Sequence, residues 1–172
     1  KILINKNFLP NQSIHHDLPF GHYPSGKLSC LKESKIIFKR DGDIEKLRDL
    51  IKKGYPQNLR KFMIKYFLKD VEVLKRKKLK EAQLRGDSFH FNALISSIIR
   101  SIIILIFLLN NEYFPGDKWN KNYLERFKIK PKNVICRLNF LSNAEQSTKS
   151  QRFKKIYEIS KIYKELKILS HE

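Results

Sequence analysis

Residues 88–110 read SFHFNALISSIIRSIIILIFLLN, and this stretch decides the fold. Between Ala93 and Leu109 only Ser96, Ser97, Arg100 and Ser101 interrupt an apolar run. From Ile98 onward the segment is apolar nearly all round, the pattern of a helix covered on every side. Its many isoleucines lower helix propensity, so a pair of strands over Ile98–Leu109 is the competing reading. A membrane span needs about 20 apolar residues. The unbroken run Ile102–Leu109 is shorter, and Arg100 would stand inside any longer span at a cost of roughly 3 kcal/mol. The segment therefore reads as the central helix of a bundle, with no membrane partner.

Working outward, Gly86 breaks the chain before this helix, and Asp87 or Ser88 can cap it. Upstream, Leu59, Phe62, Met63, Tyr66, Phe67 and Leu74 recur at three and four, which places them on one helical stripe. Arg60, Lys61, Lys65, Lys69, Lys75, Arg76 and Lys78 fall mainly on the other side. Lys77 lands back on the apolar stripe, so the helix is expected to bend or leave the core near Lys75. Pro56 suits the first turn of this helix, where its missing N–H costs nothing. Before it, Asp43 caps a short helix with Ile44, Leu47, Leu50 and Ile51 inward, and Gly54 ends it.

Downstream, Asn110–Asp117 reads as a turn, followed by a short helix carrying Trp119, Tyr123, Leu124 and Phe127. Pro131 marks a break and Val134–Leu141 a further, weakly patterned helix. Ser142 and Glu145 match a capping box. It opens a last helix to about Leu169, with Phe153, Ile156, Tyr157, Tyr163 and Leu166 inward. Lys149, Arg152, Lys154, Lys155, Lys161, Lys164 and Lys167 decorate the remainder. At the other end, Lys1–Asn5 and Ser34–Lys39 read as strands, with a loop over Asn11–Lys27 and a turn at Asp41-Gly42. The fold class expected is α+β, mainly α: about five helices around Asn92–Asn110 with one or two N-terminal strands. Residues 1–42 form a partial strand and loop segment, and residues 43–172 the helical bundle.

Hydrophobic residues make up 41% of the 172, enough for a real core. Thirty-six Lys and Arg stand against 17 Asp and Glu, a formal net charge of +19. Such an excess attracts polyanions: RNA, nucleotide phosphates or an acidic protein. Lys, Ile and Asn are abundant together, the bias of an AT-rich coding sequence, so part of the charge is compositional. Cys30 and Cys136 stand far apart and in no CxxC arrangement, which argues against a disulfide framework or a structural zinc site. Two reduced thiols and no opening secretory signal fit a cytoplasmic protein. The chain opens on Lys1 and not on Met, which reads as a segment of a longer product.

Gly21 to Lys27 fits the GxxxxGK phosphate-cradling loop. However, Leu28 stands where Ser or Thr would hold magnesium, Pro19 interrupts the strand that should precede, and a strand is expected to follow. His15, His16, Asp17 and His22 are metal-capable, but nothing fixes them on one face, so no metal site is assigned. Asp41 and Asp43 resemble an Asp-x-Asp metal pair, yet a turn followed by a helix cap explains them with less. From Arg60 to Lys80 there are nine Lys or Arg and two acids. That cluster reads as phosphate contact or as a solvated helix face. Arg85 and His90 are separated by four residues, a spacing that resembles the Arg-x(4–6)-His motif of the higher-eukaryote-and-prokaryote nucleotide-binding helical domains. Some of those are ribonucleases, and a general acid/base beside a cation is sound chemistry for it. A salt bridge of Arg85 or Asp87 at the helix joint explains the same residues.

The combined pattern is more specific. It comprises a strand ending in Asp41-Gly42, Gly54-Tyr55-Pro56 with Arg60, Arg85-Gly86-Asp87, Leu109-Asn110 with Tyr113-Phe114-Pro115, and Lys118-Trp119. Over roughly Ile36 to Phe127 it resembles a family of unknown function found joined to nucleotidyltransferase folds. The resemblance implies a helical bundle like the C-terminal half of aminoglycoside nucleotidyltransferases, which closes over nucleotide and acceptor. Residues 1–42 would then be the end of the core. Arg85, Arg100 and Lys118 would meet phosphate, with Asp87 orienting Arg85. Asn110 and Tyr113 would shape the turn, and Trp119 would anchor it or stack on a base. Magnesium and ATP would be cofactors if such a core is present. That core carries a Gly-Ser turn before its magnesium-binding acidic pair, and no Gly-Ser dipeptide occurs here. The chain alone is therefore not expected to transfer a nucleotide. The alternatives are a basic RNA-binding helical module without catalysis and a helical ribonuclease using Arg85 and His90.

Overall fold

The computed structural model describes residues 25–37, 43–118, 120–143 and 148–171, apart from the side chain of Arg76. Among these the chain forms eight α-helices and no strand. They are α1 (Ser25–Glu33), α2 (Asp43–Lys52), α3 (Gln57–Val73), α4 (Leu79–Leu84), α5 (Ser88–Leu109), α6 (Asn120–Arg126), α7 (Val134–Ser142) and α8 (Lys149–Leu169). A π-helical turn, Leu74–Lys78, joins α3 to α4 without a break.

The α+β expectation is thereby corrected to an all-α bundle over the described residues. Residues 34–37 of the predicted strand have no regular structure, and Ile37 is 98% exposed. An apolar triplet forms a buried strand only where a neighbouring strand can pair its N–H and C=O groups. Every described neighbour here is a helix. The residues just before are helical too, so GxxxxGK runs into α1 and not into the strand expected after it. The strand at Lys1–Asn5, His15, His16, Asp17, His22 and the Asp41-Gly42 turn lie outside the described residues. Helix α1 packs on α2 and places Leu28 in the shared core. Lys32 Nζ meets Glu112 at 2.6 Å, which ties α1 to the residues just past α5.

Helix α5 is central, as its composition predicts, and the pair of strands over the same residues does not form. It packs against α3, α4, α7 and α8. Phe91, Leu94, Ile95, Ile98, Ile102 and Leu105 make an i, i+3, i+4 stripe, and from Leu105 to Leu109 every residue is buried. Each such side chain contributes about 1.5–3 kcal/mol relative to exposure. By length and composition α5 could cross a membrane, with mean hydropathy 2.3, but 61% of that window is buried against its neighbours. One side stays open, with Ser96, Ser97 and Arg100 exposed. Asp87 caps the helix by accepting from the His90 N–H at 2.9 Å. The preceding α4 ends in a Schellman turn, in which Asp87 N–H reaches Ala82 C=O and Gly86 N–H reaches Gln83 C=O. Gly86 supplies the left-handed residue this turn needs, at φ +70°.

The disturbance expected near Lys75 is the π turn. Leu59, Met63, Phe67 and Val71 are buried on α3, and an uninterrupted helix would next bring Lys78 inward. The π turn absorbs one extra residue. Leu79 and Ala82 enter the core instead, and Lys77 and Lys78 stay in solvent.

Two further expectations are corrected at the C-terminal end. The last helix does not start at a capping box, since Ser142 is the final residue of α7 and Glu145 lies outside the described residues. Thr148 caps α8 by accepting from the Gln151 N–H. The predicted inner face of α8 holds at Ile156, Tyr163 and Leu166 but not at Phe153 and Tyr157. Arg152, Ile159, Ile162 and Leu166 are buried, while Phe153 is 56% and Tyr157 63% exposed. The cause is Arg152, whose guanidinium donates to Ser88 Oγ at 2.6 Å and lies over the Phe91 ring. Arg137 of α7 holds the next turns of α8 through Glu158 and Glu165. Burial pulls the Arg137 pKa down, but its hydrogen bonds to the two glutamates prevail and raise it above the usual value.

Deleting Lys77 should be absorbed by converting the π turn to ordinary helix, leaving urea-unfolding stability within about 1 kcal/mol of the parent. Deleting Lys65 should rotate Leu59 and Met63 by about 100° away from Phe67 and Val71. That variant should lose several kcal/mol, the scale of emptied core positions. Equal losses in the two variants would contradict this account of the π turn.

Candidate functional site

Part of the pattern that carries the sequence resemblance, Gly54, Tyr55, Arg60, Asn110 and Tyr113, converges where the ends of α2 and α5 meet. Helix α5 closes with its own Schellman turn, in which Glu112 N–H donates to Phe107 C=O and Asn111 N–H to Leu108 C=O. Asn111 takes the left-handed position at φ 54°, a role asparagine fills when glycine does not. Its side chain then stitches the neighbouring helix end. Asn111 Nδ2 donates to Lys53 C=O at 2.9 Å, and its Oδ1 accepts from Tyr55 N–H at 3.1 Å. Gly54 lies between these two contacts at φ +79°. A Cβ on it would stand 2.3 Å from Asn111 Nδ2, so glycine is required by space as well as by conformation.

Two tyrosines lock the same joint. Tyr113 donates its hydroxyl to Gly54 C=O at 2.6 Å, and the Tyr55 hydroxyl accepts from Phe114 N–H at 3.4 Å. Their rings lie 4.6 Å apart. Arg60, from the first turn of α3, donates through Nε to Leu108 C=O at 2.6 Å and through a terminal nitrogen to Leu109 C=O at 2.7 Å. It satisfies carbonyls a helix end leaves open and sets a cation at the negative pole of α5. Asn110 ties the same end to the segment after α6, donating to Ile129 C=O and accepting from Ile129 N–H. Below the turn, Phe107 packs against Phe114, Tyr123 and Phe127, with ring centroids 4.9–5.5 Å apart.

Past Phe114 the chain runs back along α5. Asp117 reaches Arg100 Nε at 3.3 Å, nine residues before the helix ends. Lys118 follows in the open, and Trp119 lies outside the described residues. Arg100 and Lys118 are both exposed, and the Arg100–Asp117 pair leaves Lys118 one residue beyond the contact. An open hollow of about 710 Å³ lies on the α1 side, lined by Lys27, Cys30, Ser34 and Pro115.

Arg85, Asp87 and His90 are not brought there. They sit at the opposite end of α5, about 33 Å away along a 22-residue helix. Arg85 is exposed and in no ion pair among the described residues, and the Asp87 carboxylate is engaged in capping. Among the described residues no three His, Cys, Asp or Glu side chains gather in one place. Cys30 and Cys136 are free and exposed on α1 and α7. Within the core, Ser101 donates to Asp70 at 2.7 Å. Burial, and then the Asp70 charge, raise the pKa of the nearby Tyr66 hydroxyl.

The sequence reading missed two features. Asn111 was not singled out, although an Asn pair directly after an apolar helix is the signal of a left-handed cap. The second is a groove of about 420 Å³ between α3 and α8, rimmed by Lys61, Lys65, Lys69 and Lys167 over Ile64, Leu68 and Tyr163. Its signal was the repeat of lysine every four residues on α3.

This geometry is that of a helical domain in which the ends of α2 and α5 are tied into a joint. Residues 20–120 match the family described as Domain of unknown function (DUF4037), and the chain, more than half of it matched, belongs to that family. No curated protein and no solved structure matches it. The match contains α1 to α5 and the contacts between the α2 and α5 ends, while Tyr123, Phe127 and Ile129 lie beyond it.

Replacing Asn111 by Ala removes both stitches and puts Ala in a left-handed conformation. Thermal or urea unfolding should show a loss of about 2–3 kcal/mol. Gly54→Ala should cost at least as much. An unchanged midpoint in either variant would show that the joint does not stabilise the fold.

Proposed function

We propose that this chain is the nucleotide- or substrate-facing helical region of a nucleotidyltransferase-like protein, with Arg100 and Lys118 meeting the phosphates of a nucleoside triphosphate. The observation that carries this reading is the joint itself. Gly54, Tyr55, Arg60, Asn110 and Tyr113, which underlie the nucleotidyltransferase resemblance, hold the segment after Phe114 against α5. Arg100 meets that segment at Asp117, and the next residue, Lys118, is exposed, so both cations are open to an anionic ligand.

The Arg100–Asp117 pair is more than half exposed at both side chains. Such pairs contribute about 1 kcal/mol or less, so a phosphate bearing more charge can displace Asp117 from the guanidinium. Arg85, at the far end of α5, belongs to no shared site with this surface. The acidic pair that would hold magnesium belongs, in this reading, to a separate nucleotidyltransferase core, and the present residues bind and orient.

Isothermal titration with ATP tests the assignment. Saturable binding is expected, weakened roughly tenfold or more in the Arg100→Ala/Lys118→Ala double variant, which corresponds to about 1.4 kcal/mol or more. Both residues are exposed, so circular dichroism and unfolding of that variant should match the parent. Absence of ATP binding, or binding indifferent to the double substitution, would overturn the reading.

A further inference from the structure

We infer that the groove between α3 and α8 is a second site, apart from the α5 turn, and that it holds a single-stranded nucleic acid by its phosphates. Its rim carries Lys61, Lys65 and Lys69 from α3 and Lys167 from α8, against one carboxylate, Glu72. The three α3 lysines recur every four residues, so they form a row with a step of about 6 Å along the helix. Like charges at that spacing repel and destabilise a helix unless an anion lies against them.

Among the described residues the two walls supply little anion. Helix α3 contains two acids, Asp70 and Glu72, and α8 contains two, Glu158 and Glu165. Only Glu72 lines the groove, and all four already have partners. Asp70 accepts from buried Ser101, and Glu72 accepts from the Tyr163 hydroxyl at 3.2 Å. Glu158 and Glu165 both turn to Arg137 of α7. Among the described residues the four rim lysines make no ion pair, whereas Lys32, Lys46, Lys52, Arg100 and Arg137 each do. Three of the four acids are thus drawn to other faces, and the groove keeps four lysines against Glu72 alone.

The floor distinguishes a nucleic acid from a free phosphate. Ile64, Leu68 and the half-buried Tyr163 ring lie between the cations. A row of ammonium groups beside an apolar, aromatic floor suits a strand whose phosphates take the rim and whose unstacked bases cover the floor. The lysines read no sequence, so the site should be tolerant of base identity.

Fluorescence anisotropy with labelled 12-nucleotide oligouridylate and oligothymidylate tests this. The full chain is compared with a groove variant, Lys65→Gln/Lys69→Gln/Lys167→Gln, and with an equal-charge control, Lys52→Gln/Lys128→Gln/Lys149→Gln. The groove variant should bind at least tenfold more weakly, and its log K against log salt slope should fall by about 2, three contacts at about 0.7 each. The control should change less than twofold. The strand bound more tightly, RNA or DNA, names the source. Equal weakening by both variants would show attraction to net charge alone and overturn the site. So would competition by polyglutamate as strong as by unlabelled oligonucleotide, or no binding at all.

Discussion

Helix α5 sets the terms for everything around it. Its C-terminal half is almost wholly apolar and cannot stand in water, and the fold is a means of covering it. Helices α3, α4, α7 and α8 each lay an apolar face on it. The devices that look local serve this end. The π turn brings Leu79 and Ala82 back to the core after Val71, and Arg152, a charged residue on a basic helix, is drawn inward to Ser88 and Phe91.

Covering the sides leaves the C-terminal end, where four carbonyls would face the interior without partners. The joint with α2 and α3 resolves this. Asn111 and the Schellman bonds serve one side of the end and the Arg60 guanidinium the other. Gly54, Tyr55, Arg60, Asn111 and Tyr113 are accordingly architectural. What they leave available are side chains beside the joint, Arg100 and Lys118. Electrostatics work in the same indirect way on α3 and α8, whose acids are taken up by Ser101, Tyr163 and Arg137.

Much of the helical layout was legible in the sequence because it rests on periodicity and on glycine. The stripe from Leu59 to Phe67, the breaks at Gly54 and Gly86 and the Asp87 cap are local statements, and the structure agrees with them. Ile36 and Ile37 misled because an apolar triplet does not reveal whether a partner strand exists. The face of α8 misled because a hydrophobicity pattern ranks Phe153 and Tyr157 above Arg152 for burial. A long-range hydrogen bond and a ring under the guanidinium reversed that order. The candidate sites were less legible still. Spacing placed Arg85 and Asn110 in one family pattern, but only the length of α5 shows that they stand at opposite ends of the molecule.

The position of α8 in the chain has a consequence for synthesis. Its contacts with α3 and α5 join residues far apart in sequence, as between Ser88 and Arg152 or Glu72 and Tyr163. A ribosome that has released α5 must still add the 60 residues from Leu109 to Leu169 before α8 is whole, on the order of seconds to some ten seconds of elongation. During that interval a strongly apolar helix lacks its α8 cover, and at first its α7 cover as well, and is exposed to association with other nascent chains. The protection α5 finds in the folded chain therefore arrives late in its synthesis.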